Sequence, residues 1–456
     1  MSSSVAIALF TRDLRVHDNP TLHGAVRDAD QVVPLFVLDD AILRSAYNRP
    51  NRARFLIESL RDLDGSLQQR GAGLIVRRGD WAAEVAQVVE ATGAEVIHVA
   101  GDVTRYSTRR LETLRGQLGN GVRLEVHDDA LLVVPPGALT AAGKDHMSVF
   151  TPYFRKWEQQ PVREQAPTPR SLSMPSVDRG SIPAPEDIAS GEPSPDLARG
   201  GETEARRRAT SWLADGLEAY DDDHDALGND NTSRLSPYLH FGCLSPLDLV
   251  RQAAEHRSSA SAAFVRQVAW RDFHHQVLAA RPASTTADYR PRGDRWHHSD
   301  EELQAWKEGR TGYPVVDAGM RQLAREGWMH NRARLIVGHF LCKTLYIDWR
   351  EGAQHFVDLL LDADVANNTM NWQWVAGTGT DSRFNRTYNV VLQARRHDPR
   401  GAYVRTYVEE LADVDDAYIH EPWLLPEGEL DRLGYPPPIV DQNEAKERLR
   451  RGRPSA

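Results

Sequence analysis

The sequence predicts an α/β domain followed by an all-helical domain. In the first 130 residues, short Val- and Ile-rich runs alternate with helical segments, and from about residue 201 onward helical periodicity dominates. Residues 161–200, rich in Pro, Ser, Gly and Asp, predict an extended connector. We therefore expect a Rossmann-like parallel-sheet domain over 1–130, an interdomain linker over 131–200 and a helical domain over 201–456.

Five apolar runs predict the strands, in chain order VAIALF, QVVPLFVL, GLIVRR, EVIHVA and VRLEVH. The segments NRARFLIESLRDLDGSLQQRG and WAAEVAQVVEATG, which lie between strands, have a helical pattern, as in a parallel sheet with helices on its faces. No GxGxxG motif follows any of these runs, so a dinucleotide bound in the usual phosphate loop is not expected there.

The second half predicts helices in ETEARRRATSWLADGLEAY, SAAFVRQVAWRDFHHQVLAA, EELQAWKEG and GAQHFVDLLLD, without internal repeats. No apolar run is long enough for a membrane span, and the N-terminus has the pattern of a first strand and not of a signal peptide. Cys243 and Cys342 lie far apart and neither belongs to a CxxC pair. We therefore expect reduced thiols, no metal site and a cytoplasmic protein.

The formal net charge of −10 is unusual for a protein that binds nucleic acid, but binding depends on the local patch. An arginine cluster is more often solvated surface than a DNA contact. The neighbouring tryptophans favour DNA here. The arginines of the stretch 290–405 considered for this patch are Arg290, Arg292, Arg295, Arg332, Arg334, Arg383, Arg386, Arg395, Arg396, Arg400 and Arg405.

Six of the eleven tryptophans lie between Trp296 and Trp374, interleaved with Asp, Asn, Arg, His and Gly. Taken alone, tryptophans are usually core or interface groups whose indole N–H finds one partner. The polar residues around these indicate a cofactor pocket instead, and aromatic rings near a redox group can relay electrons.

Two further motifs have a structural and a functional interpretation. Thr232, Ser233, Arg234 and Ser236 precede a helix opened by Pro237, so their hydroxyls either cap that helix or bind phosphate. Asp362 and Asp364 are either ordinary helix or loop caps or buried carboxylates. If they are buried, Arg332 and Arg334 supply the countercharges that a buried carboxylate requires.

Seven strings, in order and spacing, resemble the photolyase/cryptochrome family along essentially the whole chain. They are LFTRDLRVHDNP, TSRLSPYLHFGCLSP, WRDFHHQVL, TGYPVVDAGMRQL, GWMHNRAR, DWREG and NWQW. The chain looks most like bacterial class I cyclobutane pyrimidine dimer photolyases of the actinobacterial type. This resemblance implies a lyase in which light drives an electron from reduced FAD to a dimer in ultraviolet-damaged DNA. The alternative is a blue-light photoreceptor without repair activity.

The resemblance also assigns a cradle for FAD. Asp362 is expected to pair with Arg334, and Asn368 to face flavin N5, where an amide can accept or donate a hydrogen bond. Plant cryptochromes carry Asp at that position, so Asn368 favours repair. The residues implied in FAD binding are Tyr220, Thr232, Ser233, Arg234, Leu235, Ser236, Arg334, Asp362, Ala363, Asp364 and Asn368.

By the same resemblance, Trp372, Trp349 and Trp296 form an electron relay ordered from flavin to surface. The residues implied in dimer and DNA binding are Gln267, Trp270, Arg271, Asn331, Arg332, Leu335, Trp374 and Gln393.

The implied dimer site departs from the family at two positions. Gln267 stands where many members have Glu, and Leu335 where many have Met. The (6-4) branch also has Gln at the first position, but it needs a second His where Leu335 stands and lacks the Asn that follows His330. Asn331 therefore favours dimer repair. YNVVLQ replaces the more usual NPxxQ, with Gln393 as the matching glutamine.

A light-harvesting antenna is expected in the first domain. The family uses a folate or an 8-hydroxy-5-deazaflavin, and the acid that folate users carry near Thr108 is absent. Asp102, Arg105 and Arg52 suit the deazaflavin better. The chain ends soon after the last family motif, which leaves little room for a signalling tail, and we expect a monomer.

Overall fold

The computed structural model describes residues 3–119, 121–381 and 387–453. The chain divides into two compact units, each built from more than one segment. The first comprises Met1–Pro193, Ala198–Glu218 and Ser233–Pro282, and the second comprises Ser194–Leu197, Ala219–Thr232 and Ala283–Ala456.

The strands of the described chain are β1 (Val5–Phe10), β2 (Gln31–Asp39), β3 (Ile75–Gly79), β4 (Val96–Ala100) and β5 (Arg123–His127). The helices are α1 (Pro20–Asp28), α2 (Asp40–Leu43), α3 (Pro50–Gln68), α4 (Trp81–Thr92), α5 (Arg105–Gln117), α6 (Phe150–Trp157), α7 (Glu202–Asp215), α8 (Tyr220–Asp223), α9 (Ser236–Phe241), α10 (Pro246–Glu255), α11 (Ser259–Ala280), α12 (Asp300–Glu308), α13 (Pro314–Glu326), α14 (Asn331–His339), α15 (Trp349–Leu359), α16 (Val365–Ala376), α17 (Val390–His397), α18 (Ala402–Tyr407), α19 (Glu429–Leu433) and α20 (Gln442–Gly452). A π-helical turn covers Phe340–Leu345.

The first unit contains a five-stranded parallel sheet in the order β3-β2-β1-β4-β5. Each strand lies within two residues of its predicted run, and the predicted fold class is confirmed. All six residues of β1 are buried, as expected for a central parallel strand covered on both faces. The strand order changes direction between β1 and β4, and ligands of open α/β sheets bind beyond the carboxyl ends of the strands at such a point.

Helix α11 is fixed within the first unit by two buried polar side chains one turn apart. The carboxylate of Asp272 accepts hydrogen bonds from the main-chain N–H groups of Val133 (3.1 Å) and Val134 (2.9 Å). It also accepts the indole N–H of Trp157 at 2.9 Å. Gln276 bonds both the N–H and the carbonyl of Met147. These contacts set the position of the helix that carries Gln267, Trp270 and Arg271.

In the second unit, a glycine allows the indole of Trp372 on α16 to lie close against α15. A Cβ atom at Gly352 of α15 would meet Trp372 Cη2 at 2.2 Å, whereas one at Gly338 of α14 would make an ordinary van der Waals contact of 3.5 Å with its Cζ3. Any side chain at Gly352 would displace the ring. No helix of the described chain is both long and apolar enough to cross a membrane.

We expect Asp272→Ala to lower the free energy of unfolding by about 3 kcal/mol, because three buried donors lose their common acceptor. Chemical denaturation followed by circular dichroism measures the change. Glu90→Ala is the matched control, since Glu90 is exposed on α4. Equal stabilities for the two variants would show that Asp272 does not hold α11 in place.

Candidate functional site

Arg334 and Asp362 form a largely buried ion pair in the second unit. Arg334 Nη2 lies 3.1 Å from Oδ1 and 2.9 Å from Oδ2 of Asp362, whose side chain is 5% exposed. Arg334 Nε also donates to the carbonyl of Met329 at 2.8 Å. The guanidinium therefore ties α14 to the segment that leads into α16, at the pair that the family resemblance implies.

Asp364 and Asn368 are fixed at the start of α16. Asp364 is the N-cap and accepts the main-chain N–H of Asn367 at 2.9 Å. Ala363, between the two aspartates, is fully buried. Asn368 Nδ2 donates to the carbonyl of Ala353 on α15 at 3.0 Å. This bond uses one N–H of the amide and leaves the other N–H and Oδ1 for a bound molecule.

Tyr220 and Thr232 are the other cradle residues of the second unit. Tyr220 is buried in α8, and this burial raises the pKa of its phenol. Thr232 Oγ1 is also buried, and it has no hydrogen-bond partner among the described residues. A buried hydroxyl normally has a hydrogen-bond partner, and a bound molecule would supply one to Thr232 Oγ1.

The first unit contains Ser233, Arg234, Leu235 and Ser236, four further residues that the resemblance implies in FAD binding. Arg234 has φ = 50°, in the left-handed region that residues other than glycine rarely adopt. Such strain costs on the order of 1–3 kcal/mol and is concentrated at ligand sites. Leu235 is 1% exposed, and its main-chain N–H donates to Ser233 Oγ at 3.4 Å. Ser236 opens α9.

Two tryptophans of the expected relay are buried, and each has its own contacts with neighbouring side chains. Trp372 and Trp349 are 4% and 1% exposed. The indole N–H of Trp349 donates to Asp288 at 2.9 Å. Trp306, which the sequence analysis did not single out, is fully buried with its ring centroid 6.0 Å from that of Trp372. Its position in a helical pattern gave no signal beyond an ordinary core residue.

Trp296, the expected outer member of the relay, is half-buried and packs on Tyr346. Their ring centroids are 4.9 Å apart, with an interplanar angle of 38°. The sequence analysis also missed Tyr346, because tyrosine in an apolar run is an ordinary core residue.

The expected dimer and DNA residues of the second unit differ in exposure. Asn331 is exposed at the start of α14, whereas Leu335, Trp374 and Gln393 are half-buried. Arg332 Nε donates to Asp225 at 3.1 Å, and the same two side chains form a second, shorter contact. Asp225 therefore orients Arg332, a contact that no local pattern in the sequence indicated.

Within the first unit, Trp270 lies on a second aromatic ring. Phe150 of α6 stacks on it with 3.6 Å between ring centroids and an angle of 9°. Gln267, one turn before it on α11, is exposed. Arg271 is buried and donates to the carbonyls of Leu131 and Leu239.

Carboxylates neutralise several arginines of the expected DNA patch. Arg395 pairs with Glu421 and Arg405 with Asp416, in addition to the pairs of Arg332 and Arg334. Arg396 and Arg400 are exposed and pair with no carboxylate in the described part of the chain. Arg383 and Arg386 lie outside the described residues.

A polar network occupies the carboxyl ends of the strands in the first unit. Arg12, after β1, pairs with Asp102, after β4, at 3.1 Å, where the strand order reverses. Arg12 Nη2 also lies 3.2 Å from Nδ1 of His240, and Nε2 of His240 lies 2.9 Å from Tyr47 Oη. The guanidinium of Arg52 lies 4.4 Å above the ring of Tyr47. Arg52 and Asp102 thus belong to one chain of contacts.

A cleft of about 510 Å³ adjoins this network and is lined by Asp102 and Arg105. Arg52 does not line the cleft. Glu112 and Asp128 also line it, and no sequence pattern indicated either residue. Burial raises the pKa of Asp128, because the charged carboxylate is poorly solvated there. A hydrogen-bond donor or cation bound in the cleft would stabilise that carboxylate. Among the described residues, no group of three or more His, Cys, Asp or Glu side chains is arranged to hold a metal ion.

Comparison with known proteins identifies the family. The family described as DNA photolyase matches residues 6–171, and the FAD binding domain of DNA photolyase matches residues 264–453. The chain is 55% identical over 454 residues to a deoxyribodipyrimidine photo-lyase of Streptomyces griseus, covering 99% of both chains. The chain belongs to the DNA photolyase family.

Two solved structures share the fold of this photolyase-family chain. A class III photolyase of Agrobacterium tumefaciens superposes with a TM-score of 0.90 at 31% identity, covering 99% of this chain and 97% of that one. A cryptochrome of Synechocystis superposes with a TM-score of 0.91 at 29% identity, covering 98% and 99%. Repair enzymes and photoreceptors therefore share this fold, and they differ in the residues of the site.

We expect Thr232→Val to weaken FAD binding roughly three- to ten-fold, because one hydrogen bond to the bound group is lost. The flavin-free variant should be as stable as the unaltered protein or more so, since a buried hydroxyl without a partner becomes a methyl group. Isothermal titration and denaturation of the flavin-free proteins measure the two effects. Thr286→Val, at an exposed threonine of the same unit, is the control. Unchanged affinity would place FAD away from Thr232.

Proposed function

We propose that this chain is a deoxyribodipyrimidine photo-lyase, which splits cyclobutane pyrimidine dimers in DNA under blue light. The observation that carries this proposal is the full-length identity of 55% to the Streptomyces griseus photo-lyase, joined to the cradle residues described above. FAD, when bound in its reduced form and excited by light, supplies the single electron that opens the ring. We place the enzyme in the cytoplasm as a monomer whose partner is ultraviolet-damaged DNA.

The cradle residues hold FAD and fix its surroundings. Arg334 and Asp362 position α14 against the start of α16, and Asp364 stabilises the first turn of that helix. Asn368, fixed by Ala353, offers Oδ1 to an N–H group of the isoalloxazine ring. A neutral amide can accept from a protonated ring nitrogen through Oδ1 or donate to an unprotonated one through its second N–H.

Trp270 receives the dimer once it leaves the duplex. Extruding a nucleotide costs a few kcal/mol, and less at a lesion whose stacking is already impaired. Because Phe150 already stacks on Trp270, the indole is rigid before the dimer arrives, and little conformational entropy is lost on binding. Gln267 and Asn331 contribute amide groups for the pyrimidine edges, and Leu335 and Trp374 contribute apolar contacts. The amide groups of Gln267 and Asn331 can form hydrogen bonds to the pyrimidines without carrying charge.

The remaining sites divide between the DNA backbone and the light-driven relay. Arg396 and Arg400 are suited to phosphate contacts, since a guanidinium already paired with a carboxylate has less to gain from a phosphate. Arg332 is oriented by Asp225, and Gln393 supplies a further polar contact. Trp372, Trp349 and Trp296 are the residues that would carry electrons inward to bound FAD.

The antenna is proposed to be an 8-hydroxy-5-deazaflavin near the switch point of the sheet, with Asp102, Arg105 and Arg52 as its polar contacts. The support is the position of the Arg12–Asp102 pair and the stacking of Arg52 on Tyr47, which suit a flat ring with polar edges. A folate is the alternative antenna. Mass spectrometry of the released chromophore decides between the two.

A blue-light repair assay tests the proposed function. The reduced protein is incubated with one oligonucleotide that carries a single thymine dimer, and chromatography follows the dimer with and without light. We expect loss of the dimer only in the light. Flavin-loaded protein that leaves the dimer intact under light would support a photoreceptor instead.

Trp270→Ala should weaken binding of damaged DNA by roughly 1–3 kcal/mol, the usual contribution of one base–aromatic stack. Binding of intact DNA should hardly change, because its bases stay stacked. Arg400→Ala is the control for the electrostatic contribution and should weaken both DNAs about equally. Fluorescence anisotropy with matched oligonucleotides gives the ratios. An equal loss for both DNAs in Trp270→Ala would contradict the stacking role.

A further inference from the structure

Trp296, the outer member of the expected relay, lies in an arginine-rich segment. It is half-buried, whereas the other two tryptophans of the relay are buried, so an electron donor outside the chain reaches Trp296 first. Arg295 is exposed, and Arg290 and Arg292 of the same segment are half-buried. Because the formal net charge of the chain is −10, a cationic surface here is a local feature and not a consequence of composition.

Contacts with the end of α20 hold Arg295 beside the ring of Trp296. Arg295 N donates to the carbonyl of Gly452 at 2.9 Å, and Arg295 Nη2 donates to the carbonyl of Arg451 at 3.1 Å. A Cβ atom at Gly452 would meet Cε1 of Tyr346 at 1.9 Å, so the helix end lies against that ring. The ring centroid of Tyr346 is in turn 4.9 Å from that of Trp296. The guanidinium is therefore fixed next to this pair of rings.

Arg292 belongs to the same group of cations. Its Nε donates to the carbonyl of Gly377, directly after α16, at 3.2 Å. Burial lowers the pKa of Arg292, and the charges of Arg290 and Arg453 lower it further, so these cations lie close enough to repel one another. Arg453 is itself neutralised by Asp294 at 2.7 Å. An anion that approaches Arg290 and Arg292 would relieve the remaining repulsion.

The charges of these arginines are not cancelled locally. In the described part of the chain no carboxylate pairs with Arg290 or Arg295, and the exposed Asp300 and Glu301 of α12 form no ion pair with any described arginine. A guanidinium that donates to a main-chain carbonyl keeps its full charge. The surface formed by Arg290, Arg292 and Arg295, here called the donor surface, is therefore cationic.

We propose that the donor surface docks a small acidic protein that carries one electron, and that this partner reduces oxidised Trp296. The proposal rests on the proposed function, which supplies the oxidant, a Trp296 radical cation left by light-driven electron transfer. One electron passes from the partner to Trp296, giving the neutral indole and a partner oxidised by one electron, and no bond forms or breaks. Complexes that transfer electrons bury small interfaces, so a few cations around one half-buried ring suffice to orient the partner.

An acidic redox protein fits the donor surface better than DNA does. The groups proposed above for the dimer and for phosphate lie on α11, α14, α16 and α17 or directly after α17, whereas the arginines of the donor surface precede α12 in the segment that ends at Trp296. DNA also offers no group that readily gives an electron to an oxidised indole, and the relay works again only after Trp296 has been reduced.

Flash photolysis of the flavin-loaded protein, with oxidised FAD and a small ionic donor, tests the sign of the surface. Ferrocyanide and tris(phenanthroline)cobalt(II) each donate one electron, and the decay of the tryptophan radical gives their rate constants. We expect the ferrocyanide rate to fall roughly ten-fold between about 10 and 200 mM salt and the cobalt rate to rise. The net charge of −10 alone predicts the reverse for both ions, and that result would overturn the proposal.

Charge variants locate the effect. Arg295→Gln should remove most of the salt dependence, and Arg295→Glu should invert it. Arg432→Glu, at an exposed arginine of α19 in the same unit, changes the net charge equally and is the matched control. Equal salt dependence in Arg295→Glu and Arg432→Glu would overturn the assignment of the surface.

Two redox proteins of opposite charge test the class of partner. Reduced plastocyanin, an acidic copper protein, should reduce the tryptophan radical at a rate that saturates with its concentration and falls with salt. Reduced cytochrome c, a basic haem protein, should react more slowly and without saturation. Zinc-substituted plastocyanin, which donates no electron, should bind the unaltered protein roughly three- to ten-fold more tightly than Arg295→Glu in isothermal titration. Preference for cytochrome c would overturn the acidic partner.

The outcomes separate this proposal from the proposed function. Weaker binding of both damaged and intact DNA by Arg295→Glu, with unchanged donor rates, would assign the arginines to DNA and overturn the donor surface. Absence of any tryptophan radical would overturn the relay and the donor surface together. Dimer splitting by the chemically reduced, unaltered protein does not pass through Trp296. Donor rates as expected without such splitting would therefore support the donor surface and overturn the repair function.

Discussion

Arg334 donates to both carboxylate oxygens of Asp362 and to the carbonyl of Met329, so one guanidinium joins two chain segments 28 residues apart in sequence. Separating a buried pair of this kind leaves an uncompensated charge, which costs about 3–5 kcal/mol. The pair fixes where α16 begins, and α16 carries Asn368, Trp372 and Trp374. The residues of the second unit that are proposed for cofactor contact, electron entry and dimer contact therefore depend on one electrostatic contact.

The same unit uses close packing to place its aromatic rings. Trp372 reaches its position because Gly352 has no side chain, and Tyr346 is closed in by Gly452. In the first unit, buried polar contacts of Asp272 and Gln276 hold α11, so Trp270 is presented on a rigid helix and supported by Phe150. Precise geometry of this kind suits a reaction that needs aromatic groups at fixed separations and no acid, base or metal.

The sequence predicted the strands to within two residues, because a parallel sheet covered on both faces requires continuous apolar runs such as VAIALF. The predicted site residues come from motifs whose members lie close together in sequence. Phe150, Trp306, Asp225 and Tyr346 were missed, because their roles come from partners distant in the chain and each resembles an ordinary core or surface residue. Carboxylates distant in the chain, such as Glu421, neutralise part of the arginine stretch, and no local pattern in the sequence indicated them.

A double-mutant cycle on the Arg334–Asp362 pair, read as FAD affinity, tests the central claim most directly. The variants are Arg334→Met, Asp362→Leu and the two together, with the unfolding free energy measured in parallel. If the pair acts as one support for the cradle, the double variant loses about as much FAD affinity as either single one, and it regains part of the stability that each single variant loses. Additive losses of affinity, with no recovery of stability, would show that the two residues act independently and would contradict the account.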